Sequence, residues 1–398
     1  MAEKNWTLID NGSSSKNSDF ALTAAELGIA GHDFHVRQSR LRGGLREGVE
    51  SVEIDNGRFS FVVLPTRGMG IWKGWLGKRG QPGTVEVGWQ SPVDGPVHPQ
   101  FVSLADPSGL GFLDGFDEWI VRCGLESNGA PEFDDRGVLK YPLHGRIANR
   151  PASKVELTFD DQQQEIRLTG IVEETRFLFR RLRLRTTIST RLGEPGLRIH
   201  DEVTNVGAMP QEAQLLYHIN FGPPLLEAGS RCVAPVAQLV PRDRRAAEGI
   251  DDWALYPGPE AGYAEKVYFA DLVAGTDHRT HVLLENAAKT LGASVGFDKR
   301  QLPHFMLWKN TGAVADGYVT GLEPSTNFPN PRSFEGARGR VVKLAPGETA
   351  SFDVSLTIHA DRASVAAAEQ AVAAVAAGCT PHVFQTPQRN WSVAGTKS

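Results

Sequence analysis

Between residues 45 and 360 the chain is cut into short runs in which apolar and polar residues alternate, each run stopped by Gly, Pro, Asn or Asp. "SVEIDNGRFSFVVLP", "EIRLTGIVEE", "FLFRRLRLRTTISTRL", "LRIHDEVTNVG" and "GRVVKLAPGETASFDVSLTIHA" are the clearest. A period of two places successive side chains on opposite faces of an extended backbone. The short gaps hold turns but not the helices that parallel strands need as crossovers. An antiparallel all-β protein follows, and the 42 Gly and 24 Pro supply its turns. Asn56-Gly57 marks one hairpin. No repeat period is visible, which excludes a propeller or solenoid. So many strands without a linker predict one large antiparallel β-sandwich over 45–360, with a concave face left for a ligand.

Helical signals sit at the ends, which predicts a few peripheral helices. "SDFALTAAELGIAG" offers Ser18 as a cap and Gly31 as a stop, so residues 1–44 are expected to form a partly helical extension. "SVAAAEQAVAAVAAG", 364–378, predicts a helix ending at Gly378 within a C-terminal segment 361–398 whose last twenty residues trail loosely. Residues 80–136 are rich in Gly, Pro and Trp and alternate poorly. Long irregular segments of that kind in a compact domain usually serve function.

The net charge of −5 excludes the basic stripe of a nucleic-acid binder. "RFLFRRLRLR" is a strand with one wet face, and "RDRR" at 242–245 is a solvated loop run. Three scattered cysteines, Cys123, Cys232 and Cys379, form no CxxC motif, which fits a reducing compartment. The N-terminal residues lack the apolar core of a signal peptide, and no apolar run approaches the ~20 residues of a membrane span. The expectation is a cytoplasmic protein without nucleic-acid or membrane partners; homo-oligomers are compatible with it.

Three stretches place polar residues inside apolar runs. Glu323 in "GLEPSTNFP" precedes a proline, which holds it extended where a strand leaves its sheet. Taken alone, it reads as a solvated loop carboxylate. His144 in "YPLHGRIANRP" precedes Gly145, where backbone can pass close to a ligand. His218 and Asn220 in "AQLLYHINFGPP" lie two apart and share a strand face, with Tyr217 and Ile219 on the other.

In that order, on an all-β chain, these residues resemble the aldose 1-epimerase (galactose mutarotase-like) superfamily. "LPTRGMGI", "GFDEWIVRCGLESNG", "LHGRIAN", "YHINFGPP" and "LEPSTNFP" resemble its DUF4432 branch more narrowly. The resemblance implies a galactose mutarotase-like supersandwich. It implies Glu323 as general base, His218 as general acid and His144 as a sugar ligand. The run "HGRIANR" fuses two motifs that classical mutarotases keep apart, so Arg67 and Arg146 are both candidates for the arginine at the sugar hydroxyls. Glu265 in "YAEKVYF" is the candidate for the family's acidic sugar contact.

Exchange of anomers needs one proton off the C1 hydroxyl and one onto the ring oxygen. A carboxylate and an imidazole on opposite sides of the C1–O5 bond supply both, without metal or organic cofactor. Flat sugar faces stack on aromatics, for which Trp119, Trp308 and Phe328 are available, while Lys309 and Asn327 are candidate hydroxyl contacts. Asp114, Asp117 and Glu118 either cap the cleft or are solvated. The expected function is a cofactor-independent aldose 1-epimerase with a small-molecule carbohydrate substrate. The alternatives are a carbohydrate-binding protein without turnover and a glycoside hydrolase or lyase on a related sandwich. A phosphorylated sugar is conceivable if Arg67, Arg146 and Arg150 converge. Separation of Glu323 and His218 by more than ~10 Å would exclude the epimerase.

Overall fold

The computed structural model describes residues 3–12, 19–29, 31 and 33–396. Two large antiparallel sheets face each other. The first has nine strands in the order Lys4–Asp10, Ala152–Asp160, Glu165–Arg176, Arg180–Arg191, Gly196–Asn205, Thr349–His359, Gly292–Asp298, Arg279–Glu285, Arg231–Val233. Its members alternate as the sequence does. Glu165–Arg176, for instance, turns Ile166, Leu168 and Val172 inward and leaves Arg167, Thr169 and Ile171 partly exposed.

The second sheet runs Phe20–Thr23, His35–Arg40, Glu50–Asp55, Phe59–Leu64, Gly70–Leu76, Ile120–Leu125, Gln211–Phe221, Val319–Ser325, His304–Asn310, Lys266–Leu272, Val236–Pro241, His382–Val383. Its central strands are buried on both faces: Val319–Ser325 throughout, and Gln211–Phe221 from Ala213 onward. One face packs on the nine-stranded sheet and loops cover the other. That double burial explains why "AQLLYHINF" is nearly continuous in apolar residues rather than alternating.

Polar clasps fix how the sheets meet. Asn56, at the tip of the predicted hairpin, accepts from the amides of Arg58 and Phe59. Its amide nitrogen donates to Thr190 Oγ1 and to the carbonyls of Arg191 and Glu194 in the facing sheet. Arg122 crosses the interior to Asp201, which also accepts from the Tyr217 hydroxyl at 2.8 Å. A buried charge needs such complete pairing, because leaving it unpaired out of water costs several kcal/mol.

The ends differ from expectation. Residues 1–44, expected to be partly helical, are mostly strand among the described residues. The strands Lys4–Asp10, Phe20–Thr23 and His35–Arg40 belong to the two sheets, and the α-helix among the described residues there is the single turn Ala24–Leu27. Thr23 caps that turn in a capping box with Glu26, and Gly28 ends it in the left-handed region. Ser18 lies outside the described residues. The late helix spans Arg362–Ala376 and is capped by Asp361, whose carboxylate accepts from the Ser364 amide at 2.8 Å.

The tail is not loose. His382–Val383 pairs in parallel with Val236–Pro241. Arg338 and Arg340 donate to the carbonyls of Arg389 and Asn390, and Asn330 donates to that of Trp391. The Trp391 ring stacks on Phe328 at 4.8 Å. Among the described residues no helix is long and apolar enough to cross a membrane.

Candidate active site

Two neighbouring central strands of the second sheet, Gln211–Phe221 and Val319–Ser325, turn polar groups and a gap toward the loop-covered face. In Val319–Ser325 the residues on that face are Val319, Gly321 and Glu323. Gly321 pairs with Asn220 on one side and with Trp308 on the other, while His218 pairs with Val121 and Glu323 with Met306. The missing side chain at Gly321 is what lets the acid and the imidazole approach. A Cβ there would stand 2.5 Å from Glu323 Oε1 and 3.1 Å from His218 Cε1.

His218 Nε2 lies 3.2 Å from Glu323 Oε1, and the two residues are 4% and 3% exposed. The solvated reading of Glu323 is therefore wrong: the strand continues through it to Ser325. Behind His218, Nδ1 meets Asn220 Oδ1 at 2.6 Å, and Asn220 Nδ2 donates to the Glu118 carbonyl at 2.9 Å. Burial, then Glu265, raises the Glu323 carboxyl well above its ordinary range, against a smaller opposing pull from Arg242. Burial, then neighbouring His144, takes His218 well below its ordinary value.

His144 arrives on the 141–151 loop at φ 57°, a left-handed conformation unusual for a non-glycine residue. The loop is held by backbone bonds from the His144 amide to the Gly129 carbonyl and from the Gly124 amide to the His144 carbonyl. Gly145 matters for protein packing rather than for a ligand, since a Cβ there would meet the Ser127 and Gly124 carbonyl oxygens at 2.0 and 2.3 Å. The His144 ring is half-buried, 5.4 Å from the His218 ring, and its Nδ1 meets the Asn128 carbonyl at 2.9 Å.

Aromatic rings close the sides. Phe116, from the irregular 80–136 segment, packs edge-on to His218 at 5.0 Å, and Trp308 does so at 5.1 Å. At the mouth, the exposed Glu265 accepts from the Trp308 indole at 2.7 Å and pairs with Arg242 at 2.9 Å.

The other expected contacts are elsewhere. Arg67 is fully buried, bound to Glu118 at 2.7 Å, to the Gly115 carbonyl at 2.6 Å and to Asn149. It anchors the 111–119 loop rather than a sugar. Arg146 is half-buried and lies with Arg150 beside the buried Glu174. Lys309 is one residue from Trp308 and so faces the opposite way, into the sandwich. There its ammonium caps the carbonyls of Trp253, at 3.0 Å, and Leu255, and burial draws it down to about 8. Asn327 exchanges two 2.8 Å hydrogen bonds with Asn128, the residue whose carbonyl holds His144. It therefore supports the site from behind.

Trp119 is a core residue between Phe59 and Phe221, and Phe328 lies under Trp391. Asp114 is exposed, while Asp117 and Glu118 are buried behind the aromatic wall. Sequence reasoning missed Phe116, Asn128, Gly321 and Arg242. Only Gly321, preceding the carboxylate by two on one strand face, carried a signal.

The family model for DUF4432, a domain of unknown function, matches residues 46–358. The chain belongs to the DUF4432 family. A candidate aldose 1-epimerase from Klebsiella pneumoniae is 36% identical, with a TM-score of 0.92 over 97% of this DUF4432 chain and 99% of its own. A galactose mutarotase-like protein from Clostridium acetobutylicum is 15% identical, with a TM-score of 0.56 over 82% and 98%. Galactose 1-epimerase from Lactobacillus acidophilus is 12% identical, with a TM-score of 0.51 over 81% and 98%. The last two likenesses are of fold. No curated protein matches this DUF4432 member.

Proposed function

We propose that the protein is a cofactor-independent aldose 1-epimerase that opens and recloses the ring of a neutral aldose. The observation that carries this is the 3.2 Å approach of His218 Nε2 and Glu323 Oε1, both out of water beside a half-buried His144. The anomeric hydroxyl and the ring oxygen are bonded to one carbon. The groups that serve them belong side by side, not on opposite sides of the bond. Phe116 and Trp308 offer apolar faces to the ring, and Glu265 at the mouth offers a hydroxyl acceptor.

The placement of the cations supports a neutral substrate. Arg67 is bound to Glu118, Lys309 faces the core, and Arg146 lies with Arg150 beside Glu174. Arg242, at the mouth, is matched by Asp243 and Glu265. Arg67, Lys309 and Arg242 are each already engaged and so offer no free cation to a phosphate. A glycosidase would need two carboxylates about 5–9.5 Å apart across the bond, and Glu265 already serves Arg242 and Trp308.

The test is anomer interconversion followed by polarimetry on freshly dissolved aldoses and their phosphates. Acceleration for at least one neutral aldose, and none for its phosphate, is expected. No acceleration across a broad neutral panel would leave a carbohydrate-binding protein instead, and a preference for the phosphate would refute the neutral substrate.

A further inference from the structure

One hairpin of the first sheet ends in apolar side chains that the described chain leaves uncovered. The strands Glu165–Arg176 and Arg180–Arg191 pair as far as Arg176 and Arg180, so Phe177, Leu178 and Phe179 form the turn. The alternating run "RFLFRRLRLR" therefore begins outside the sheet. The three turn residues are 85%, 84% and 69% exposed. Leu178 sits at φ 69°, in the left-handed region that turns ordinarily give to Gly, Asn or Asp. The turn itself gains nothing from a leucine there. Met209 is also 69% exposed, on a loop tied to this hairpin by the bond from the Val206 amide to the Arg181 carbonyl. Large apolar side chains gathered at such exposure mark a contact surface.

At the foot of the same hairpin lies a groove of about 710 Å³, whose lining includes Tyr141, Phe179, Pro210, Leu344, Ala345 and Glu348. We propose that hairpin and groove are the two halves of one two-fold interface, with the Phe177 and Leu178 side chains of each copy of the chain seated in the groove of the other.

Area favours a second copy over any occupant that meets the tip alone. Large side chains bury ~150–250 Å² each, so the exposed turn offers about 500 Å². A stable interface needs roughly 800 Å² per partner. Reciprocal insertion uses both the tip and the groove of each copy, and it reaches that size because a two-fold axis makes every contact twice. Charge argues against a lipid surface. The chain carries a net charge of −5. Of the arginines at the turn, Arg176 lies over the Phe179 ring at 5.0 Å, Arg180 is matched by Glu126 and Glu174, and Arg183 by Glu173. An anionic membrane is held by clusters of about four or more free cations.

The proposal is independent of the epimerase reading. Its test is analytical ultracentrifugation of the full chain at roughly 1–100 μM, since interfaces of this size bind at micromolar Kd or tighter. The unaltered protein should sediment with twice the mass of the chain. Leu178→Gly removes the apical side chain and suits the left-handed backbone, so it leaves folding intact. Combined with Phe177→Ser, it should give a monomer whose circular dichroism is that of the parent. Ala345→Trp, which fills the groove from an exposed position, should give a monomer too. A monomer at every concentration of the unaltered protein overturns the proposal, and so does a dimer that survives both the tip and the groove variants. Sedimentation of a monomeric protein with phosphatidylserine vesicles, lost in the tip variant, would also overturn it and make a lipid surface the occupant.

Discussion

Glu323 shows what one residue costs and what it does. A carboxyl whose folded pKa is raised favours the folded state at low pH, and that contribution is lost as pH climbs through the folded value. His218 has the opposite sign: its folded pKa is lowered, so stability is full above the ordinary imidazole range and falls as pH drops below it. Glu323→Gln keeps shape but cannot ionise. Thermal melts across pH should show the variant more stable than the parent, with the gap widening toward alkaline pH. A gap independent of pH would mean that Glu323 ionises freely in the folded protein. Asn220→Ala removes the partner of His218 Nδ1 and lets the ring tilt, which should lower kcat about 10²-fold, and it leaves that nitrogen and the Glu118 carbonyl buried without a partner, at a cost of about 1–3 kcal/mol in stability. Gly321→Ala drives a methyl into both reacting groups; activity should fall by a similar factor while circular dichroism stays that of the parent.

At the scale of elements, the site is a central strand pair finished by its neighbours and by loops. The loop carrying Phe116 and Glu118 is anchored by Arg67, whose removal strands a buried carboxylate. Arg67→Met should cost about 3–5 kcal/mol in urea unfolding, and adding Glu118→Gln should recover part of that loss. The C-terminal strap reaches the mouth as well, because Ser392 donates to the carbonyl of Arg242, which pairs with Glu265. Which of these elements the sequence disclosed depended on side-chain period. The nine-stranded sheet is legible because one face is wet. Trp308 and Lys309 are adjacent, so only one of them can face the substrate, and strand alternation with Met306 would have chosen Trp308. Arg67, Asn327 and Trp119 are polar or aromatic residues for which nothing local distinguishes a ligand contact from a buried anchor. Arg242 sits in a charged loop run that composition alone reads as solvated. The tail reads as loose because its bonds are all long-range, to Arg338, Arg340 and Asn330.

For the whole molecule, function follows from an asymmetry between the two sheets. One sheet is largely wet on its outer face; the central strands of the second are covered on both faces, and their loop side holds Glu323, His218 and the aromatic walls. Fold alone does not assign activity, and the distant mutarotase-like relatives share only the architecture. Assignment rests on distances within the site. The most direct test is exchange NMR at equilibrium, in which one anomeric proton of a neutral aldose is saturated and loss of signal is followed at the other. With the unaltered protein, transfer between anomers should exceed the uncatalysed rate, and with Glu323→Gln it should return to that rate. Equal transfer with the two proteins, or none above background for any neutral aldose, would contradict the account.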